Sequence, residues 1–108
     1  MVEDGETLFV KEYEDGTIYY TNYKEQYHRR KGPAVIWTSK STSGGAGESW
    51  YFDGILHRET GPAFIIYGKS TRNEYYLHGE KLTKKEFYKR LLKSRIQKLY
   101  ESNTVIDT

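Results

Sequence analysis

The chain has 108 residues, which is room for one domain. Hydrophobic residues make up only 36%, but aromatic residues reach 16% with 11 Tyr, a content that argues against a disordered chain. The absence of Cys excludes disulfides and thiolate metal sites and favours a reducing cytoplasm. No apolar run approaches the roughly 20 residues of a membrane span, so we expect a cytoplasmic protein without membrane contact.

The net charge of +2 is unevenly distributed along the chain. Residues 1–15 contain six acidic side chains and a single Lys, whereas residues 81–98 contain eight basic side chains and a single Glu. We therefore expect the acidic start to attract the basic end, or the basic end to meet an anionic partner.

The first predicted element is a β-hairpin. Asp15-Gly16 separates the apolar residues 8–10 from the β-forming residues 18–20. Gly supplies the positive φ that a tight hairpin turn needs, so the dipeptide predicts a turn between two strands.

An internal repeat follows. Residues 27–37 align with residues 56–66 in a shared frame: an aromatic or Leu residue, then His-Arg-x-x-Gly-Pro-Ala, then an apolar run. His28 recurs as His57, 29 residues later. A frame of this length in register indicates duplication.

Aromatic strands precede each copy of the repeat, at residues 17–22 and 49–54, and a third at 74–79 begins a copy that is not completed. Asp53-Gly54 and His78-Gly79 predict hairpin turns. The prolines of Gly-Pro-Ala fix φ and lack an amide donor, so we place them at the start of strands 34–39 and 63–67. Loops at 41–47 and 68–72 complete an antiparallel meander of six to eight short strands.

The last predicted element is an amphipathic helix over residues 84–101. Thr83 and Glu86 have the spacing of a capping box at its start. Apolar side chains then recur at steps of three and four residues, which predicts one apolar stripe that covers the last hairpins. The stripe comprises Phe87, Leu91, Leu92, Ile96, Leu99 and Tyr100, with Arg95 among them.

Together these elements predict an α+β fold: a β-meander built from a two-copy repeat and capped by one C-terminal helix. The domain divides into an N-terminal hairpin (1–23), the hairpin repeats (24–82), the capping helix (83–102) and a tail (103–108).

The repeat resembles hairpin repeats in small accessory proteins of tailed bacteriophages and large DNA viruses, which are distantly similar to MORN-type repeats. The resemblance covers residues 18–88. The first copy departs from the pattern, since Asn22 is followed by Tyr23 rather than Gly, so its hairpin is expected to be irregular. The resemblance implies a viral accessory protein in the host cytoplasm and implies no reaction.

The His-Arg pairs of the repeat have two interpretations. Each Arg can fork onto a phosphate while His adds a donor. Alternatively, each His hydrogen-bonds a strand backbone and orients the turn before Gly-Pro, because residues kept in every copy more often build a repeat than bind a ligand. The His spacings match no metal-ligand pattern, and no cofactor is expected.

These observations predict a non-enzymatic binding protein that counteracts a host defence component. Its small core and unfinished third repeat are compatible with a homodimer. Its ligand would be a small nucleotide signal or a host protein. Two alternatives stay open: a nucleic-acid binder that uses the basic helix, and a structural virion or assembly protein. The candidate ligand-binding residues are aromatic rings for stacking and cations for phosphates: Arg29, Arg30, Trp37, Trp50, Tyr51, Arg58, Lys69 and Arg72.

Overall fold

The computed structural model describes residues 1–40, 44–68 and 70–106, the side chains of 102–106 excepted. Within these ranges it confirms the α+β fold. The strands are β1 (Val2–Glu3), β2 (Glu6–Thr7), β3 (Phe9–Glu12), β4 (Ile18–Thr21), β5 (Val35–Trp37), β6 (Gly47–Ser49), β7 (Tyr51–Phe52), β8 (Ile55–Leu56), β9 (Phe64–Ile66), β10 (Arg72–Leu77) and β11 (Glu80–Leu82), and the helix is α1 (Lys84–Ile106).

The main sheet has seven strands in the order β11-β10-β9-β6-β5-β4-β3, and every neighbouring pair is antiparallel. Two small hairpins, β1-β2 and β7-β8, stand outside it. The predicted strand 49–54 is divided between β6 and β7 at Trp50. The Trp50 amide still donates to Ala63 of the main sheet at 2.7 Å, while its carbonyl accepts from His57 in the small hairpin at 3.0 Å.

The hairpin turns predicted from Gly dipeptides are confirmed. Asp53 and Gly54 have φ values of 49° and 80°, and His78 and Gly79 have 50° and 81°, which is the left-handed pair of a type I′ turn. A third turn of this kind was not predicted. Asp4-Gly5 joins β1 to β2 and has φ values of 54° and 75°.

The first repeat hairpin is irregular, as the departure at Asn22 predicted. Asn22 is 8% exposed, and its Oδ1 accepts from the amides of Lys24 at 2.9 Å and Gln26 at 3.1 Å. Its Nδ2 reaches Asp53 Oδ1 in the next hairpin at 3.2 Å. The Asn side chain thus closes a longer turn and ties it to its neighbour.

The helix packs on the sheet only through its first turns. Thr83 Oγ1 accepts from the Glu86 amide at 3.2 Å, as the capping box predicts. Phe87 and Leu91 are buried against Leu82, but Leu92, Ile96 and Leu99 are 60%, 57% and 67% exposed. The expectation that the whole stripe covers the hairpins is therefore wrong beyond Leu91.

The lengths of the two elements explain this difference. β11 has three residues, or about 10 Å of strand, whereas the 23 residues of α1 span about 35 Å. The last hairpin is too short to cover more than the first turns of the helix. No helix in the described ranges is long and apolar enough to cross a membrane.

Candidate anion-binding site

The two copies of the His-Arg segment are held in the same way. We call residues 28–31 the first seat and residues 57–60 the second seat. In each, the His and Arg amides donate to the strands on either side, at almost the same distances in both copies. The pairs are His28 to Tyr20 (3.0 Å), His57 to Trp50 (3.0 Å), Arg29 to Tyr51 (3.1 Å) and Arg58 to Tyr76 (3.3 Å).

The histidine rings hold the hairpin turns. The Asp53 amide donates to His28 Nδ1 at 2.9 Å, and the His78 amide donates to His57 Nδ1 at 2.9 Å. His57 Nδ1 is therefore an acceptor, and the hydrogen of its neutral ring lies on Nε2. His28 Nδ1 also lies 3.1 Å from Asp53 Oδ1. This geometry agrees with the interpretation in which each His orients a turn.

The arginines of both seats stack on an aromatic ring of the preceding strand. The Arg29 guanidinium lies 4.0 Å from the Tyr20 ring centroid, and that of Arg58 lies 3.7 Å from the Trp50 centroid. Each Nη1 also donates to the carbonyl of the repeat proline, at 3.4 Å and 3.0 Å. Ring and carbonyl fix the guanidinium. In the first seat Nε and Nη2 remain for an anion, whereas in the second seat Nε already donates to the Thr60 hydroxyl and Nη2 remains.

The Gly of Gly-Pro-Ala makes room for the arginine. A Cβ on Gly32 would lie 3.0 Å from Arg29 Nη1, and one on Gly61 would lie 3.3 Å from Arg58 Cζ. Neither glycine has a positive φ. The repeated frame Arg-x-x-Gly-Pro therefore positions a cation as well as starting a strand.

The first seat is filled by residues 2–7, which we call the acidic hairpin. Glu3 accepts from Arg29 Nε and Nη2, both at 3.1 Å, and this pair holds the pKa of Glu3 below its usual range. Glu6 Oε1 accepts from His28 Nε2 at 2.7 Å. Two more pairs complete the contact, Arg30 with Glu6 (3.4 Å) and Lys31 with Asp4 (3.5 Å).

These contacts correct one expectation about charge. The acids of residues 1–7 pair with the first seat, and among the described side chains none of them pairs with the basic helix. Among the described side chains of the helix, Arg90 pairs with Glu80 of β11, at 2.7 Å. The acidic hairpin thus pairs with the basic side chains of the first seat, which lie close to it.

The second seat opens on a cavity of about 490 Å³. Arg58 Nε donates to the neighbouring Thr60 hydroxyl at 3.0 Å. In the part of the chain that the structure describes, no carboxylate oxygen lies within 4.0 Å of the Arg58 guanidinium. Burial lowers the pKa of Arg58, the charge of Glu48 opposes that shift, and a guanidinium stays charged at neutral pH. The second seat therefore presents a half-buried cation that no described carboxylate contacts, although Glu59 of the same seat lines the cavity.

A pair of imidazole rings borders this cavity. The His57 and His78 rings lie 4.3 Å apart between centroids. Burial lowers the pKa of His57, the charge of His78 lowers it further, and Glu59 opposes both. His57 is therefore neutral at pH 7, and its Nε2 lies 3.8 Å from Glu59 Oε1.

The structure brings half of the predicted ligand-binding residues together at the cavity. Arg29, Arg30, Trp50 and Arg58 line it. Sequence reasoning did not select the other lining residues, because their positions depend on how the hairpins stack. They are Phe52, Asp53, Ile55, His57, Glu59, Thr60 and His78.

Three other predicted residues lie elsewhere, and Lys69 lies outside the described residues. Trp37 packs on Phe64 at 5.6 Å between centroids. The Tyr51 ring lies 5.3 Å from Tyr27. The third, Arg72, donates to Glu74 at 2.6 Å.

The described residues contain no group of His, Cys, Asp or Glu side chains arranged to hold a metal ion. No protein-family model, curated protein or solved structure matches this chain.

Proposed function

We propose that this protein acts by binding, and that the cavity at the second seat takes an anionic group of its ligand. One observation carries the proposal. The first seat holds a carboxylate on Arg29 through two hydrogen bonds, and the second seat repeats its frame around Arg58, which no carboxylate of the described residues contacts. A pre-positioned guanidinium binds carboxylate or phosphate with little ordering cost.

The biological setting follows from the resemblance of the repeat. We propose an accessory protein in the host cytoplasm that counteracts a host defence component. It would do so by holding a small nucleotide or by covering a host protein. Both ligands carry anionic groups that suit Arg58.

Isothermal titration calorimetry with pyrophosphate, ADP and a cyclic dinucleotide tests this function. Arg58→Gln removes the cation of the second seat, and Arg95→Gln makes the same change on an exposed turn of the helix. We expect Arg58→Gln to weaken binding by about tenfold or more, since a hydrogen-bonded charge is lost. Arg95→Gln should bind as the wild type does. Anions that bind both variants equally, or bind neither the variants nor the wild type, would refute the proposal, provided that thermal unfolding shows intact folding.

A second candidate function uses the exposed half of α1. The side chains of Lys93, Arg95 and Lys98 are exposed there, beyond the sheet. Such cations would contact the phosphates of a nucleic acid, and the affinity would then fall steeply with salt. Loss of nucleic-acid binding in Lys93→Gln/Lys98→Gln, with anion binding unchanged, would favour this function over the cavity.

A further inference from the structure

The acidic hairpin shows what a ligand of a seat looks like. Glu3 and Glu6 are directly paired across β1 and β2, so their carboxylates stand side by side. Glu3 takes the arginine of the seat, and Glu6 takes the histidine and Arg30. The ligand of the first seat is thus a tight hairpin with one acid on each strand.

The second seat has the same backbone but a different charge pattern. Arg30 and Lys31 of the first seat are replaced by Glu59 and Thr60. Arg58 attracts an acid of a ligand, as Arg29 does. Glu59, whose side chain is 61% exposed, repels one. A hairpin that complements this seat has an acid opposite Arg58 and a cation opposite Glu59.

We infer that the second seat binds a mixed-charge β-hairpin of a partner protein, with an acid on its first strand and a Lys or Arg on its return strand. This inference rests on the proposed function of the cavity and names its ligand class. The acidic hairpin of a second copy fits less well, because its own first seat engages it and because Glu6 would face Glu59.

The positions of the rings favour a hairpin over a nucleotide. Arg58 covers a face of Trp50, and Arg30 lies 4.6 Å from the Phe52 centroid. Trp37 and Tyr51 do not line the cavity. A base would therefore have to displace an arginine in order to stack on these rings, whereas a carboxylate uses the arginines as they stand.

The probes for the test are three cyclic peptides of residues 1–8. The Leu8 amide donates to the Met1 carbonyl at 2.7 Å, so the two ends lie side by side and can be joined. The peptides carry the native sequence, the Glu6→Lys change, or Glu3→Gln with Glu6→Lys. Binding to the full chain is followed by NMR at the Arg58 Nε–H and Trp50 indole signals.

We expect the Glu6→Lys peptide to bind about tenfold more tightly than the native peptide, since a like-charge contact with Glu59 becomes an attraction. Removing its remaining acid by Glu3→Gln should weaken it again by about tenfold. The protein variant Glu59→Arg restores the charge of the first seat and should reverse the order of the Glu6→Lys and native peptides. Glu59 is exposed, so this variant leaves the fold intact.

The outcomes separate the inference from the proposed function. The ranked binding, reversed by Glu59→Arg, supports both. Two results would overturn the hairpin ligand but keep the anion site, both with pyrophosphate or a nucleotide bound at Arg58. In the first, no peptide binds. In the second, peptides bind with affinities that do not depend on the charge changes. Absence of binding by all probes overturns both.

Discussion

The acidic hairpin should be held on the first seat mainly by one ion pair, which Glu3→Gln breaks. The side chains of Glu3 and Arg29 are each 17% exposed and share two charge-assisted hydrogen bonds. An exposed pair contributes about 0 to 1 kcal/mol, and a hydrogen bond to a charged group about 1.5 to 3 kcal/mol. The amide keeps the shape and one acceptor, so we expect a loss of about 1 to 2 kcal/mol in the free energy of unfolding.

Urea denaturation measures this loss, with Glu14→Gln as a control at an exposed acid. The pKa of Glu3 is lowered in the folded state, so its stabilisation is complete above the ordinary value of 4.5 and is lost as the pH falls through the folded pKa. The difference between wild type and Glu3→Gln should shrink in that range. A Glu3→Gln protein as stable as Glu14→Gln at neutral pH would refute the account of the first seat.

Three further predictions concern the sheet, the histidine and the helix. Gly47→Ala should destabilise the fold by about 1 to 3 kcal/mol in urea titrations, because its Cβ would overlap the Trp37 ring and lie 2.5 Å from the Ile65 carbonyl oxygen; an unchanged midpoint would contradict this packing. The pKa of His57 is lowered in the folded state, so the free energy of unfolding should fall as the pH drops below 6.5. The urea midpoint should fall less steeply with pH in His57→Gln than in the wild type. An equal dependence of the midpoint on pH in the two proteins would exclude His57 as the cause. Phe87→Ala should lower the free energy of unfolding by about 3 to 5 kcal/mol. Ile96→Ala, at a site 57% exposed, should lower it by less than about 1 kcal/mol. Similar losses in the two variants would mean that the helix packs along its whole length.

The repeat, the type I′ turns and the start of the helix could be predicted because each has a local signal. Gly dipeptides determine the turns, and Thr83 with Glu86 marks the helix start. The turn at Asp4-Gly5 carries the same signal and was missed. What no local signal shows is that the strands on either side of it leave the main sheet and dock on residues 28–31.

Long-range packing also explains the limits of the site prediction. Side chains alternate between the faces of a strand, so Trp50 and Tyr51 belong to different environments although they are adjacent. The apolar period of the helix predicts a stripe but not the length of sheet available to cover it. Arg58 could be selected from the repeat alone, whereas its lack of a contacting carboxylate among the described residues depends on where the acidic hairpin docks, which is on Arg29.

We propose that the second seat accepts an anion, whereas the first seat is already filled by Glu3. NMR of the two arginine Nε–H signals during a pyrophosphate titration at constant ionic strength tests it directly, since Arg29 serves as an internal control for Arg58. We expect a saturable shift of the Arg58 signal and a nearly unchanged Arg29 signal. Equal movement of both signals, or no movement of the Arg58 signal, would contradict it.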